Sequence, residues 1–218
     1  MWGDEMDIFW YGHSFFKIVI EDKVIFADPY DESVGYSIPR GLFGNVVLES
    51  HQHYDHNNDK IISGDYQLIK KSGRYDLDTV RITGLDTYHD NERGKKRGNN
   101  IVFVIESKNY KIVHLGDLGC YPEESFYDRV YKPDVLMVPV GGIYTIDKEV
   151  AFSIVEKVDP KLVIPMHYKT EKLKFDLESV EGFIKMFSNV FYEEALNIKN
   201  PEELKRYNND LMVLEYLG

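Results

Sequence analysis

Within SHQHYDH, residues 50–56, four side chains able to bind a metal fall in six positions: His51, His53, Asp55 and His56. Residues two apart in extended backbone point the same way, so His51 and His53, just past the apolar run NVVLES, can aim two imidazoles at one point. Asp55 and His56 follow on the turn and can face a neighbouring point. Zinc takes imidazole nitrogen and carboxylate oxygen at ~2.0–2.2 Å, so one tight loop can begin two sites. A polar surface loop accounts for a bare H-x-H far better than for H-x-H-x-D-H.

The other donors must come from elsewhere in the chain. His89 lies just past DTVRITGLDTY, Asp117 ends YKIVHLGD and His167 follows PKLVIPM, so each stands where an apolar run gives way to a loop. Sites in layered α/β proteins are commonly built there. His114 sits three residues before Asp117 and should face the opposite side unless Gly116 breaks the pleat, which reads as a core histidine. His13, in YGHSFF, can approach the site as a partner of a ligand or of substrate. Asp28, in IFADP, can accept a hydrogen bond from a ligating imidazole and fix its tautomer, or simply form a turn. Lys169, two residues after His167, is placed to touch substrate. The loop RGKKRG at 93–98 brings Arg93, Lys95, Lys96 and Arg97, either to recruit an anion or as a solvated basic turn. Tyr144, in GGIYT, can approach a ligand from a tight turn.

The elements that must position these residues read as strands first. Short strands are expected at 6–12, 14–20 and 23–29, then at 45–50, 78–88, 100–107 and 110–117. Helices at 123–131, 147–158 and 180–188 alternate with strands at 133–141, 160–166 and 210–217. This order predicts an α/β protein with two sheets face to face and helices outside. No repeat, low-complexity tract or linker breaks residues 1–218, which reads as one domain.

Composition excludes several classes. No stretch approaches the ~18 apolar residues of a membrane span, and the acidic amino terminus shows no secretory signal, so a cytoplasmic protein with no membrane partner is expected. The single cysteine, Cys120, rules out an internal disulfide. A formal net charge of −11 disfavours nucleic acid as partner.

Taken in order, SHQHYDH, TYHD at 87–90, HLGDLG at 114–119 and PMHYKT at 165–170 resemble the signature of the metallo-β-lactamase superfamily. WYGHSFFKI and IFADP are similar to its small branch of ascorbate-phosphate-lactonase-like and uncharacterised metal-dependent hydrolases. The resemblance runs from about Met6 to Thr170 and, more loosely, through the last strand. It implies a four-layer αββα sandwich with the metals at one edge between two sheets. It further implies that His51, His53 and His89 hold one metal, that Asp55, His56 and His167 hold a second, and that Asp117 bridges them.

Departures from relatives narrow the substrate. Secreted lactamases usually set a cysteine at the second metal, whereas Cys120 falls three residues beyond Asp117. Only 51 residues follow His167, short of the helical domain of thioesterase relatives. The acidic chain shows no basic arm of the kind that transfer-RNA-processing relatives carry.

The expected cofactors are two divalent ions, zinc first, with manganese or iron compatible. A hydroxide generated between two such cations would attack a small ester, lactone or phosphoester, anionic ones included, with Asp55 orienting it. Two other readings keep the same ligands: a phosphodiesterase or nuclease, and a non-hydrolytic metal-binding or redox protein.

Overall fold

The computed structural model describes residues 4–218. Three antiparallel strands open it: β1 (Met6–Trp10), β2 (Phe16–Ile20) and β3 (Lys23–Ala27). Burial alternates along the first two, so Met6, Ile8 and Trp10 face the interior with Phe16, Ile18 and Ile20. β4 (Val46–Leu48) and β5 (Gln67–Ile69) add in parallel, and β13 (Leu196–Ile198) closes the other edge, giving the order β13-β1-β2-β3-β4-β5.

The second sheet begins as an antiparallel meander of β6 (Gly73–Leu77), β7 (Val80–Tyr88), β8 (Asn99–Glu106) and β9 (Lys111–His114). It continues in parallel through β10 (Val135–Pro139), β11 (Leu162–Met166), β14 (Asp210–Leu214) and β12 (Val190–Glu193). Every residue of β10 and β11 is buried, as expected of parallel strands covered on both faces.

The cover includes α1 (Glu124–Val130) and α2 (Lys148–Val158). Asp147 caps α2 by accepting the Val150 N–H, and Asp159, left-handed before Pro160, stops it. Ala151, Ile154, Val155 and Val158 form its buried stripe.

One apolar cluster joins the facing sides of both sheets, from Ile8 and Ile18 to Phe103, Ile105, Met137 and Ile164. A second cluster, Phe15, Phe26, Tyr30, Val34, Tyr36 and Val47 with Leu173 and Leu177, covers the outer face of the first sheet. The two-sheet sandwich is the expected one. Its outer layer on this side consists of loops and a 3-10 turn at 32–34 instead of an α-helix. The helix expected at 180–188 is shorter, α3 (Glu181–Ile184), because Met186 and Phe187 tighten into i→i+3 bonds. No helix among the described residues is long and apolar enough to cross a membrane.

Candidate metal centre

Strand ends of both sheets meet at one edge. Asp28 follows β3 with φ +50°, and its N–H bonds to the Leu48 carbonyl at the end of β4. Fully buried, its carboxylate accepts the Ser50 N–H and the Ser50 hydroxyl, each at 2.7 Å, and His56 Nδ1 at 3.0 Å. Because the Ser50 hydroxyl donates to Asp28, its oxygen is the acceptor for His51 Nδ1 at 3.0 Å. One aspartate thus sets the tautomer of two imidazoles. In its neutral form each would present an Nε2 lone pair, and these two buried Nε2 atoms have no hydrogen-bond partner.

Asp117 comes from the second sheet. β9 ends at His114, and Gly116, at φ +55°, turns the chain. A Cβ there would lie 2.4 Å from Asn100 Oδ1 and 2.6 Å from Ser50 Cβ, so only glycine lets this turn pack under the 50–56 loop. Asn100 accepts the Asp117 N–H at 2.9 Å and donates to Thr87 and to the Leu115 carbonyl. Asp117 Oδ2 then lies 3.1 Å from His167 Nε2, 3.2 Å from His89 Nε2, 3.3 Å from His56 Nε2 and 3.9 Å from His51 Nε2. Donor atoms of His51, His53 and His89 form one close group, those of His51, His56 and Asp117 another, and those of His13, Asp55, His56 and His167 a third. All seven residues expected to hold metal are therefore brought to one cluster.

The pleat does break at Gly116, yet His114 stays out of the donor groups that include Asp117. His114 is the expected core histidine, with Nδ1 accepting the Gly116 N–H and Nε2 donating to the Ser14 carbonyl. Lys169, expected at substrate, is used otherwise: its ammonium donates to the Leu173 and Phe175 carbonyls and holds that loop. Of the basic loop, Arg97 is half-buried, lies 4.6 Å above the Tyr144 ring and lines a cavity of about 590 Å³ with His51, His53, Lys70 and Lys71. Arg93, Lys95 and Lys96 are exposed.

Sequence reasoning passed over Asp90. Its carboxylate collects the backbone N–H groups of Glu92, Gly94, Lys96 and Arg97 at 2.8–2.9 Å, and these bonds outweigh burial and hold its pKa down at about 2. The signal was an aspartate beside an expected ligand histidine, followed by a loop with glycines at 94 and 98. Asn100 and Ser50 gave no comparable sign.

The cluster is strongly anionic. Burial alone would raise Asp28, Asp55 and Asp117, yet His56 lowers all three, with His13 acting on Asp55 and His167 on Asp117. Burial opposes charge on His56, but Asp117, Asp55 and Asp28 together hold its pKa well above the ordinary value. Burial pushes His51 down to about 2, His13 to about 4, and His114 below its usual range.

A stability optimum follows. In the metal-free chain His13, His51 and His114 bind protons only when unfolded, so stability falls as pH drops below 6.5, by up to about 1.4 kcal/mol per pH unit for each. His56 works oppositely: its contribution is full below 6.5 and is lost as pH rises toward its folded value. Thermal midpoints of chelator-treated protein should therefore peak near pH 6.5 and decline on both sides, most steeply on the acid side. A flat profile from pH 5 to 8 would contradict this balance.

The role of Asp28 can be tested directly. Asp28→Asn keeps a residue that tolerates φ +50° but can set an amide N–H against His56 Nδ1–H. Metal affinity, measured by competition with a chromophoric chelator, should fall about 10–100-fold. Unchanged affinity would mean that the carboxylate does not orient the imidazoles.

Two facing sheets with an imidazole and carboxylate cluster at their strand ends define a sandwich of the metallo-β-lactamase type. The family model for the Beta-lactamase superfamily domain matches residues 7–167, and the chain belongs to that superfamily. It is 30% identical over 199 residues to a UPF0173 metal-dependent hydrolase of Thermoplasma acidophilum, covering 80% of this chain and 86% of the relative. Among solved structures it is similar to a candidate Zn-dependent hydrolase of the metallo-β-lactamase superfamily from Thermotoga maritima. That match has a TM-score of 0.80 and 36% identity, covering 96% of this chain and 98% of the other. Igni18, a metallo hydrolase from Ignicoccus hospitalis, shares the fold at a TM-score of 0.66 and 20% identity, covering 98% of this chain and 97% of that one.

Proposed function

We propose that this chain is a metal-dependent hydrolase with a two-ion centre, acting in the cytoplasm on a small ester, lactone or phosphoester. His51, His53 and His89 would hold one divalent ion, Asp55, His56 and His167 the second, with Asp117 shared between them. The observation that carries this reading is the pair of buried Nε2 atoms on His51 and His56, oriented by Asp28 and Ser50 and left without a partner beside Asp117. Buried polar atoms rarely lack partners, and an imidazole and carboxylate set suits zinc, with manganese or iron compatible.

Bound ions of this kind supply Lewis acidity toward a substrate oxygen and lower the pKa of a water into the neutral range. The protein's own groups do the rest. Asp55 stays ionised beside His56 and His13, so its carboxylate is able to accept a hydrogen bond from the attacking water and orient it. Arg97, fixed on Tyr144, faces the cavity and can pair with an anionic substrate group. Lys70 and Lys71 on the same wall favour a phosphodiester as the second reading. The net charge of −11 weighs against a long nucleic acid.

The test is metal analysis of protein purified without chelator, followed by a panel of lactones, phosphodiesters and thioesters. About two divalent ions per chain are expected, with turnover of at least one class. His53→Ala should lose that turnover while keeping its circular dichroism spectrum. Protein that is metal-loaded but inert across the panel would overturn the hydrolase assignment in favour of a sensing or redox role.

A further inference from the structure

We propose that His13 is a fourth protein ligand on the Asp55, His56 and His167 side of the centre. This rests on the two-ion reading above and adds a donor to it.

His13 is fully buried and lies just past β1 at φ +53°, a conformation few non-glycine residues adopt. Its carbonyl fixes it there, accepting the Trp10 indole N–H at 2.9 Å and the His167 backbone N–H at 3.1 Å. His167 is itself left-handed, also at φ +53°. Two strained residues are thus tied to each other through the backbone, and their rings sit 4.2 Å apart. Strain of this kind persists where the surroundings over-determine it, often at functional sites. Phe175 packs edge-on against the His13 ring, and the His56 ring lies 5.0 Å away.

The polar atoms repeat a pattern found at the other ligand positions. His89 and His167 each set Nε2 within 3.2 Å of a carboxylate oxygen of Asp117 and leave a buried Nδ1 without a partner. His13 sets Nε2 at 3.2 Å from Asp55 Oδ2 and also leaves Nδ1 buried and unpartnered. Its donor atom lies within 4.8 Å of those of Asp55, His56 and His167, the same limit within which the His51, His53 and His89 donors meet. Ligation through Nε2 requires the Nδ1–H tautomer at His13, as it does at His89 and His167, and places a cation among the four donors of this pocket.

The experiment uses the full chain labelled with ¹⁵N-histidine and loaded with ¹¹³Cd. Scalar coupling between metal and ring nitrogen counts the ligating imidazoles. Six of the seven histidines should couple, His13 joining His51, His53, His56, His89 and His167, with His114 silent. His13→Asn, which tolerates the left-handed backbone, should reduce the count by one. It should also weaken one of the two cadmium equivalents by at least about tenfold while sparing the other. Five coupled histidines with His13 silent in the unsubstituted protein would overturn the proposal and leave the two-ion centre standing. No coupling at all would overturn the centre and this ligand with it. If His13→Asn fails to fold, the count in the unsubstituted chain still decides.

Discussion

Asp117→Asn should leave the chain folded but unable to hold its metals, with hydrolysis reduced by at least about a thousandfold, roughly 4 kcal/mol of transition-state stabilisation. The substitution is almost isosteric. The backbone N–H at 117 still bonds to Asn100 Oδ1, so the turn after β9 keeps its anchor. What disappears is the charge that four imidazoles face, at 3.1 to 3.9 Å from one oxygen. Burial would favour the neutral acid there, yet His167 and His56 keep the group ionised, so the site is organised around an anion. An amide in that position would offer no negative charge to the proposed ions. Metal content, circular dichroism and turnover measured on the same preparation check the prediction. Retention of both ions with activity within tenfold of the parent would show that Asp117 is not the shared ligand.

Stripping the metals with a chelator should lower the thermal midpoint by about 10 °C. A ligand present at a thousand times its dissociation constant stabilises the folded state by about 4 kcal/mol, and each kcal/mol moves the midpoint by about 2–4 °C in a chain of this size. The cluster gives a reason for the direction. Asp28, Asp55 and Asp117 are ionised, the first and last fully enclosed, and in the metal-free state His56 holds a proton against them. Bound metal would displace that proton and neutralise the remaining charge, so binding should also weaken as pH falls. Scanning calorimetry before and after chelation, with zinc added back, measures both effects. A midpoint indifferent to chelator would mean that the carboxylates are balanced without any cation.

The donors of this site were legible because each is a chemically distinctive residue at the end of a strongly apolar run. β3, β4, β10 and β11 lie inside their sheets with mostly buried residues, and burial writes them plainly into the sequence, while β7, second from an edge, shows an alternating pattern. The strands that sequence reading missed, β5, β6, β12 and β13, are the four outermost strands of the two sheets. An edge strand such as β12, with three of four residues exposed, carries little apolar pattern to detect. Asp28 was read as a turn former or a tautomer anchor, and it is both. Lys169 misled because nearness in sequence to His167 says nothing of the carbonyls at 173 and 175 that its ammonium reaches. Asp90 escaped because its partners are main-chain amides, which every residue has, and Asn100 because two of its three partners are main-chain atoms as well.

Asp90 has a further bearing on how such a protein could change. Its grip on residues 92–97 uses amide hydrogens alone, so the rim keeps its shape through side-chain exchanges, proline excepted, at Glu92, Lys95, Lys96 and Arg97. Gly94, at φ +77° against the Gly98 carbonyl, and Arg93, at φ +58°, are restricted by their backbone. Selectivity can thus be rewritten letter by letter on a frame that stays still, while the reacting groups beneath it are never disturbed.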